Sequence, residues 1–345
     1  MSSGVSIVVC CYNSASRLPK TLEHIAQQEV KKDIAWEVIL VDNASSDNTQ
    51  KVAEEIWKKH CDNKEINIIH EASPGLSNAR NAGIHAARYE YISFIDDDNW
   101  ICKNWVEDVF ETMNADPTRG ACGSKNIAAF DADPPDWFDT FQNLYAVGEQ
   151  AAEKGVIPET KYELWGAGLT VRKSIMECIK KSNFRSLLSD RTGQDLSSGG
   201  DAELCFLIKI LGYKLYYNPA LYLYHYMPQE RLNWSYVQKL ATGFSKARFT
   251  LTSYDYFYRK ANFIEKNRNL YLLFYFSYNL LSIPIILIRK LNTFNNTKKN
   301  LYHIRLVRRW GIIKSFNFSN YAKLLDGMKV QIQVLKNTCK NTYSR

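Results

Sequence analysis

The strongest constraint on this fold is an alternation through the first hundred residues, in which short apolar runs are each followed by an amphipathic stretch. Val5–Cys10 leads to a helical pattern from Leu18 to about Val30, and Trp36–Val41 to one from about Asn48 to Lys59. Ile66–Ile69 leads to one from Leu76 to Ala87, and Tyr91–Ile95 follows. Strand then helix, repeated, predicts an α/β chain with a mostly parallel, Rossmann-like sheet covered by helices. Such sheets bind ligands beyond the carboxyl ends of their strands. The polar punctuation falls there: Tyr12-Asn13-Ser14, Asp42 to Asp47, and Asp96-Asp97-Asp98.

Three adjacent carboxylates behind a buried strand repel one another unless a positive charge lies between them. A hard divalent cation such as Mg²⁺ or Mn²⁺ suits oxygen ligands of this kind and keeps positions free for water or phosphate. A solvated Asp turn is the other reading of the triplet alone. Asp42 closes an apolar strand and suits a ligand-facing group, whereas Ser46 or Asp47 reads as the cap of the next helix. From Ala115 to Trp137 the chain reads as irregular. An apolar patch follows at Leu164–Val171, then a polar loop at Ser189–Asp195. The run Gly200-Asp201-Ala202-Glu203 leads into a buried helix ending near Gly212, where Asp201 could serve only as an N-cap and Glu203 could favour the positive helix end.

The eight cysteines have irregular spacing and no CxxC pair, which predicts reduced thiols rather than a zinc site or disulfide framework. No basic region with a long apolar core opens the chain, so a cytoplasmic catalytic part is expected. The net charge of +8 is uneven: from Arg289 onward there are thirteen Lys or Arg and one acid, Asp326, about +12, which leaves about −4 for the rest. Leu270 to Ile288 is nineteen residues without a charge, long enough to span a bilayer. A single span would put the basic tail across the membrane from the catalytic part, against the positive-inside tendency. The preferred expectation is therefore a segment lying in the cytoplasmic leaflet, with Arg305, Arg308 and Arg309 at anionic headgroups; a soluble helical subdomain is the other. No nucleic-acid motif accompanies the basic tail, and nucleic acid is not an expected partner.

Five stretches taken in order, over residues 4 to 228, resemble family 2 of the nucleotide-sugar-dependent inverting glycosyltransferases, of bacterial surface-polysaccharide type and with the GT-A fold. They are Val5–Asn13, Val41–Asp47, Pro74–Gly83, Phe94–Asp98 and Gly200–Leu204. The resemblance implies that Asp96 faces the ribose, that Asp98 holds the divalent metal, and that Asp42 contacts the base. Tyr12, Asn13, Arg80 and Asp97 are implied at the nucleotide. Asp201 matches the general base; Gly200 stands where the family commonly has Glu, which leaves Glu203 as the other candidate. His225 resembles a histidine that can complete the metal shell, though a strand-borne histidine among tyrosines is also a structural one. Trp165, Gly166 and Gly200 fall where the family shapes the sugar and acceptor pocket. The implied partners are a nucleotide-sugar donor, with UDP preferred, a glycan or lipid-linked glycan acceptor, and the inner face of the cytoplasmic membrane. The expected organisation is a catalytic domain over 1–228, divided near residue 100 into nucleotide and acceptor halves, and a helical basic tail over 229–345.

A sugar-phosphate nucleotidyltransferase would share the sheet and the acidic site but needs a Gly-rich basic loop after the first strand, where this chain has Cys10-Cys11-Tyr12-Asn13-Ser14-Ala15-Ser16. A non-catalytic nucleotide-sugar-binding relative is the remaining alternative, encouraged by Gly200.

Overall fold

The computed structural model describes residues 2–31, 33–61, 64–159, 161, 163–188 and 199–343. The polar loop expected at 189–195 lies outside the described residues. In chain order the elements begin with β1 (Ser2–Cys11), α1 (Leu18–Ala26), β2 (Trp36–Asp42), α2 (Thr49–His60), β3 (Ile66–His70), α3 (Leu76–Ala86) and β4 (Tyr89–Asp96). The chain continues through β5 (Asn99–Ile101), α4 (Trp105–Asn114), β6 (Arg119–Phe130), α5 (Phe138–Phe141), β7 (Gly155–Val156), β8 (Thr170–Arg172) and α6 (Lys173–Lys181). It ends with α7 (Gly200–Ile210), β9 (Lys214–Met227), α8 (Trp234–Leu291), α9 (Asn296–Ser315) and α10 (Phe318–Tyr343).

The strands form one sheet in the order β3-β2-β1-β4-β8-β6-β9-β5, with β7 on β9. The β3-β2-β1-β4 half is parallel, as the alternation predicts. Its strands are apolar on both faces because both are covered: Val5, Ile7, Val8 and Val9 are all fully buried. Helices α1, α2 and α4 pack on one face, and α3, α6 and α7 on the other. In α1, Leu18, Leu22 and Ile25 recur at helical spacing and are buried together. Register fixes the site: Cys11 pairs with Asp42 and Cys10 with Asp96, so three strand ends finish in one row.

Residues 119–130, expected to be irregular, form β6, which lies inside the sheet between β8 and β9. Its composition hides it, since glycine is poor in strands. The glycines are there for close packing: a Cβ on Gly120 would come within 2.5 Å of Ile208 in α7, and one on Gly123 within 2.7 Å of Leu164. The expectation of reduced thiols is also corrected, because Cys178 of α6 is disulfide-bonded to Cys339 of α10 across 161 residues. No spacing rule reaches that far; the docking of α10 on α6 brings the two Cα atoms to 5.7 Å.

The apolar segment 270–288 lies within the continuous helix α8, Pro284 included. One face of it is buried against α10 through Tyr271, Leu272 and Tyr275, while Leu273, Phe274 and Leu281 are about 60% exposed. A second apolar cluster joins α8 and α9 to Phe138, Phe141 and Tyr145. The helical tail therefore packs against the sheet-bearing part at two places and closes over the strand ends.

Candidate active site

The strand ends, the α3 amino end, the start of α7 and the inner faces of α8 and α9 enclose a cavity of about 1200 Å³. Tyr12, Arg80, Asp96, Asp97, Asp98, Trp165, Gly166, Asp201 and His225 all line it. Residues separated by more than two hundred positions in sequence thus share one space.

The repulsion within the Asp triplet is offset by protein cations that sequence reasoning did not find. Asp97 accepts hydrogen bonds from Ser14 Oγ and from Arg17 Nη2, the latter at 2.6 Å. Its pKa is nevertheless raised, by burial and by the Asp98 charge, against Arg17 and Ser14. Asp98 is 4% exposed and accepts from Arg231 Nη1 at 2.8 Å, with His225 Nε2 at 3.4 Å from its other oxygen. Burial alone would raise its pKa, but the charge and hydrogen bonding of His225, then of Arg231, hold the carboxyl well below the usual range. His225 Nδ1 is buried without a hydrogen-bond partner. Among the described residues no group of three His, Cys, Asp or Glu side chains could enclose a metal. Asp98 and His225 together offer two donors, which fits an ion whose remaining positions are taken by phosphate oxygens or water.

Arg80 stacks its guanidinium over Phe94 of β4, 5.3 Å from the ring centre, and meets Gly166 from one side. A Cβ on Gly166 would come within 2.7 Å of Arg80 Nη2 and 3.4 Å of Asp201 Oδ2. The Gly166 N–H donates to Asp201 Oδ2 at 2.9 Å, and Ala202 N–H donates to Oδ1 at the same distance. Both carboxylate oxygens are thus oriented by backbone donors. Asp201 is not a cap: the N-cap of α7 is Gly199, and Asp201 sits in the first turn, where its negative charge favours the helix dipole. Trp165 N–H donates to Gln150 Oε1 at 2.7 Å, which fixes the Trp-Gly turn.

Four sequence candidates, Asn13, Asp42, Glu203 and Gly200, are not on the cavity wall. Asn13, at φ 49°, accepts from Ser46 N–H at 2.8 Å and ties the first loop to the second. Asp42 is 6% exposed and accepts from Ser45 N–H at 3.3 Å. Glu203, 2% exposed, points into the packing between α7 and α8, where it accepts from Ser186 Oγ, Leu187 N–H at 2.9 Å and Tyr254 Oη at 2.7 Å. Two residues on, a helix has turned by about 200°, so Asp201 and Glu203 face opposite ways. Neither Ser46 nor Asp47 is the residue at the N-cap of α2, which is Asn48; Asp47 instead accepts from Thr49 N–H at 3.0 Å. Gly200 opens α7 beside Asp201 without lining the cavity.

The glycosyl transferase family 2 model matches residues 6–179, 174 of the 345 residues. The chain belongs to glycosyl transferase family 2. Among its relatives are the glycosyltransferase-named EpsH of Bacillus subtilis (strain 168), 37% identical over 34% of this chain and 33% of that protein, and the poly-beta-1,6-N-acetyl-D-glucosamine synthase of Staphylococcus epidermidis, 32% identical over 34% of this chain and 27% of that protein. The chain spans about a third of the length of these curated relatives. The mannosyltransferase PcManGT of Pyrobaculum calidifontis, solved with GDP-Man and Mn²⁺, superposes at a TM-score of 0.56 with 16% identity, over 91% of this chain and 87% of that one. The likeness is one of fold, the GT-A arrangement.

Beyond Arg17 and Arg231, this family 2 chain brings Glu163, Arg248, Arg305 and Arg308 to the cavity, residues that carried no motif. Burial and the Asp201 charge push the Glu163 carboxyl up, against Arg248, Lys161 and Arg308. The tail arginines 305, 308 and 309 line the cavity.

Proposed function

We propose that the chain transfers a sugar from a nucleoside-diphosphate sugar to a hydroxyl of a glycan or lipid-linked glycan, with inversion and with Asp201 as general base. The observation that carries this reading is the meeting of Asp201 and Arg80 at Gly166, in the cavity that also bears Asp96, Asp97 and Asp98. Asp201 takes the proton of the acceptor hydroxyl, whose oxygen bonds to the anomeric carbon as the bond to the diphosphate breaks; the diphosphate leaves with that electron pair. Two backbone donors keep the carboxylate pointed, so little orientation is lost on binding. Arg80 and Arg231 supply positive charge near the departing diphosphate. Asp98 with His225 would hold Mn²⁺ or Mg²⁺, which neutralises charge on the leaving group when bound. The roles of Tyr12, Asp96 and Asp97 are placed on the nucleotide side, with Asn13 and Asp42 acting through the loops they brace. Trp165 and Gly166 border the sugar and acceptor.

UDP is the preferred donor nucleotide on the family resemblance, and the GDP-Man bound to PcManGT makes GDP the competitor. Calorimetric titration with UDP, GDP and dTDP, each with Mn²⁺ and with EDTA, tests the reading. Metal-dependent binding of one nucleotide is expected; binding of none would overturn it.

We also propose that the chain works at the inner face of the cytoplasmic membrane. The segment Lys266–Leu291 is long and apolar enough to cross a bilayer, yet one face of it is packed on protein and the other is open. That division supports a helix lying in the leaflet. Flotation with anionic vesicles, lost on changing the exposed Leu273 and Leu281 to Gln, is the expected result; flotation equal in wild type and variant would refute it.

A further inference from the structure

The cavity carries three arginines that the transfer chemistry above does not use. Arg248 of α8 and Arg305 and Arg308 of α9 line it, and none of the three forms an ion pair among the described residues. Arg308 is the most enclosed. Its Nε is buried without a hydrogen-bond partner, and burial, then the Arg248 charge, lower its pKa, with Arg305 adding to the repulsion. Arg248 and Arg308 act on the Glu163 carboxylate, which also feels Asp201 and Lys161. The trio therefore belongs to the base side of the cavity, whereas Asp98 is attended by Arg231. Three guanidiniums without an ion-pair partner among the described residues suit an anionic group such as a phosphate ester, and planar forked donors match phosphate oxygens.

The cavity also has a partly apolar wall. Tyr278, Ser282, Ile285, Ile286 and Arg289 of α8 line it at a spacing of four, seven, eight and eleven residues, one face of a helix. Ile285 is also 54% exposed, and its neighbours Leu281 and Ile288 continue the apolar surface outward at 66% and 57% exposure.

Resting on the transferase reading above, we infer that the acceptor carries a phosphate group on an apolar chain: Arg248, Arg305 and Arg308 grip the phosphate, and the Ile285–Ile286 face of α8 receives the chain. The acceptor hydroxyl is thereby brought to Asp201 by a charge that lies beyond the bond being formed. Glu163 offsets part of the charge of Arg248 and Arg308 when no acceptor is bound.

The test is calorimetry on the full chain with decyl phosphate, decyl maltoside and inorganic phosphate, each below any micelle-forming concentration, and with UDP plus Mn²⁺ as a separate titration. Decyl phosphate is expected to bind at least about tenfold more tightly than either of the other two probes, since a charge-assisted hydrogen bond and buried methylenes are each worth that much. Arg308→Gln should weaken decyl phosphate by about tenfold or more, with UDP affinity kept. The exposed Arg305→Gln, which disturbs no core packing, gives the same reading if the first variant does not fold. Equal binding of decyl maltoside and decyl phosphate, or unchanged decyl phosphate affinity in both variants, overturns the inference. Inorganic phosphate binding as tightly as decyl phosphate overturns its apolar half. Loss of UDP binding with decyl phosphate binding retained counts against the transferase reading and leaves the phosphate site standing.

Discussion

Replacing Arg231 with Met removes the guanidinium that faces Asp98 while keeping the length and apolar stem of the side chain. Asp98 is 4% exposed, and Arg231 Nη1 lies 2.8 Å from Oδ2. Removing one partner of a buried ion pair costs about 3–5 kcal/mol. His225 at 3.4 Å and the Asn99 amide at 3.1 Å remain beside the other oxygen, which places the loss near the lower figure, about 3 kcal/mol. For a chain of this size that is a fall in Tm of about 3–6 °C. The folded-state pKa of Asp98 is depressed, so its contribution is present above the ordinary carboxylate value, about pH 4, and fades as pH falls toward the folded value. The gap between wild type and variant should accordingly be full at pH 7 and shrink below about pH 4. Mn²⁺ should then act as a replacement cation: at a hundred times its Kd an ion stabilises by about 2.7 kcal/mol, and the variant, with Asp98 freed of Arg231, should gain more than wild type. Differential scanning fluorimetry with and without Mn²⁺ reads all three effects. An unchanged Tm refutes the pairing argument, and equal Mn²⁺ shifts in both proteins would show that Arg231 does not compete with a metal ion for Asp98.

Asp201→Asn should leave nucleotide affinity intact and lower transfer by about 10²–10⁴-fold, the usual worth of a general base; near-normal turnover would move the base elsewhere. Glu203→Gln should do the opposite, lowering Tm by a few degrees through the loss of charge-assisted bonds from Ser186, Leu187 and Tyr254 while keeping kcat/KM within a few fold, and a hundredfold fall in kcat in a protein of unchanged Tm would refute its structural role. Cys339→Ser should cost about 2–5 kcal/mol, given the long loop that the disulfide closes, and should abolish the effect of a reductant on Tm; an equal reductant effect in wild type and variant would show that the bond does not form. Gly166→Ala should impair both donor binding and turnover, because its Cβ would meet Arg80 at 2.7 Å and Asp201 at 3.4 Å; normal kinetics would mean that Arg80 yields without cost.

The parallel half of the sheet and the row of strand ends were legible in the chain because both rest on local pattern. Apolar runs buried on two faces need no long-range information to be read, and polar residues closing β1, β2 and β4 land together once the strands are parallel and in register. The recognisable motifs carried Arg80, Asp98 and Asp201 with them. β6 was not legible, since its glycines answer to the side chains of α7 and of the loop after β7, which approach only in the folded state. Glu203 looked equivalent to Asp201 in sequence and was separated from it by helical rotation and by Tyr254, fifty-one residues away.

What the sequence by itself determined is the parallel half of the sheet, its ligand-binding edge and the chemical types gathered there, all consequences of periodicity and of residues within a few positions of one another. What only the tertiary structure decided is the set of charges that face them. Arg17 and Arg231 reach Asp97 and Asp98 across 80 and 133 residues, and Arg305, Arg308 and Arg309 of the basic tail turn inward to the cavity because α8 and α9 pack over the strand ends. Charge acts through space and not along the chain, so neither pairing has a spacing that could announce it.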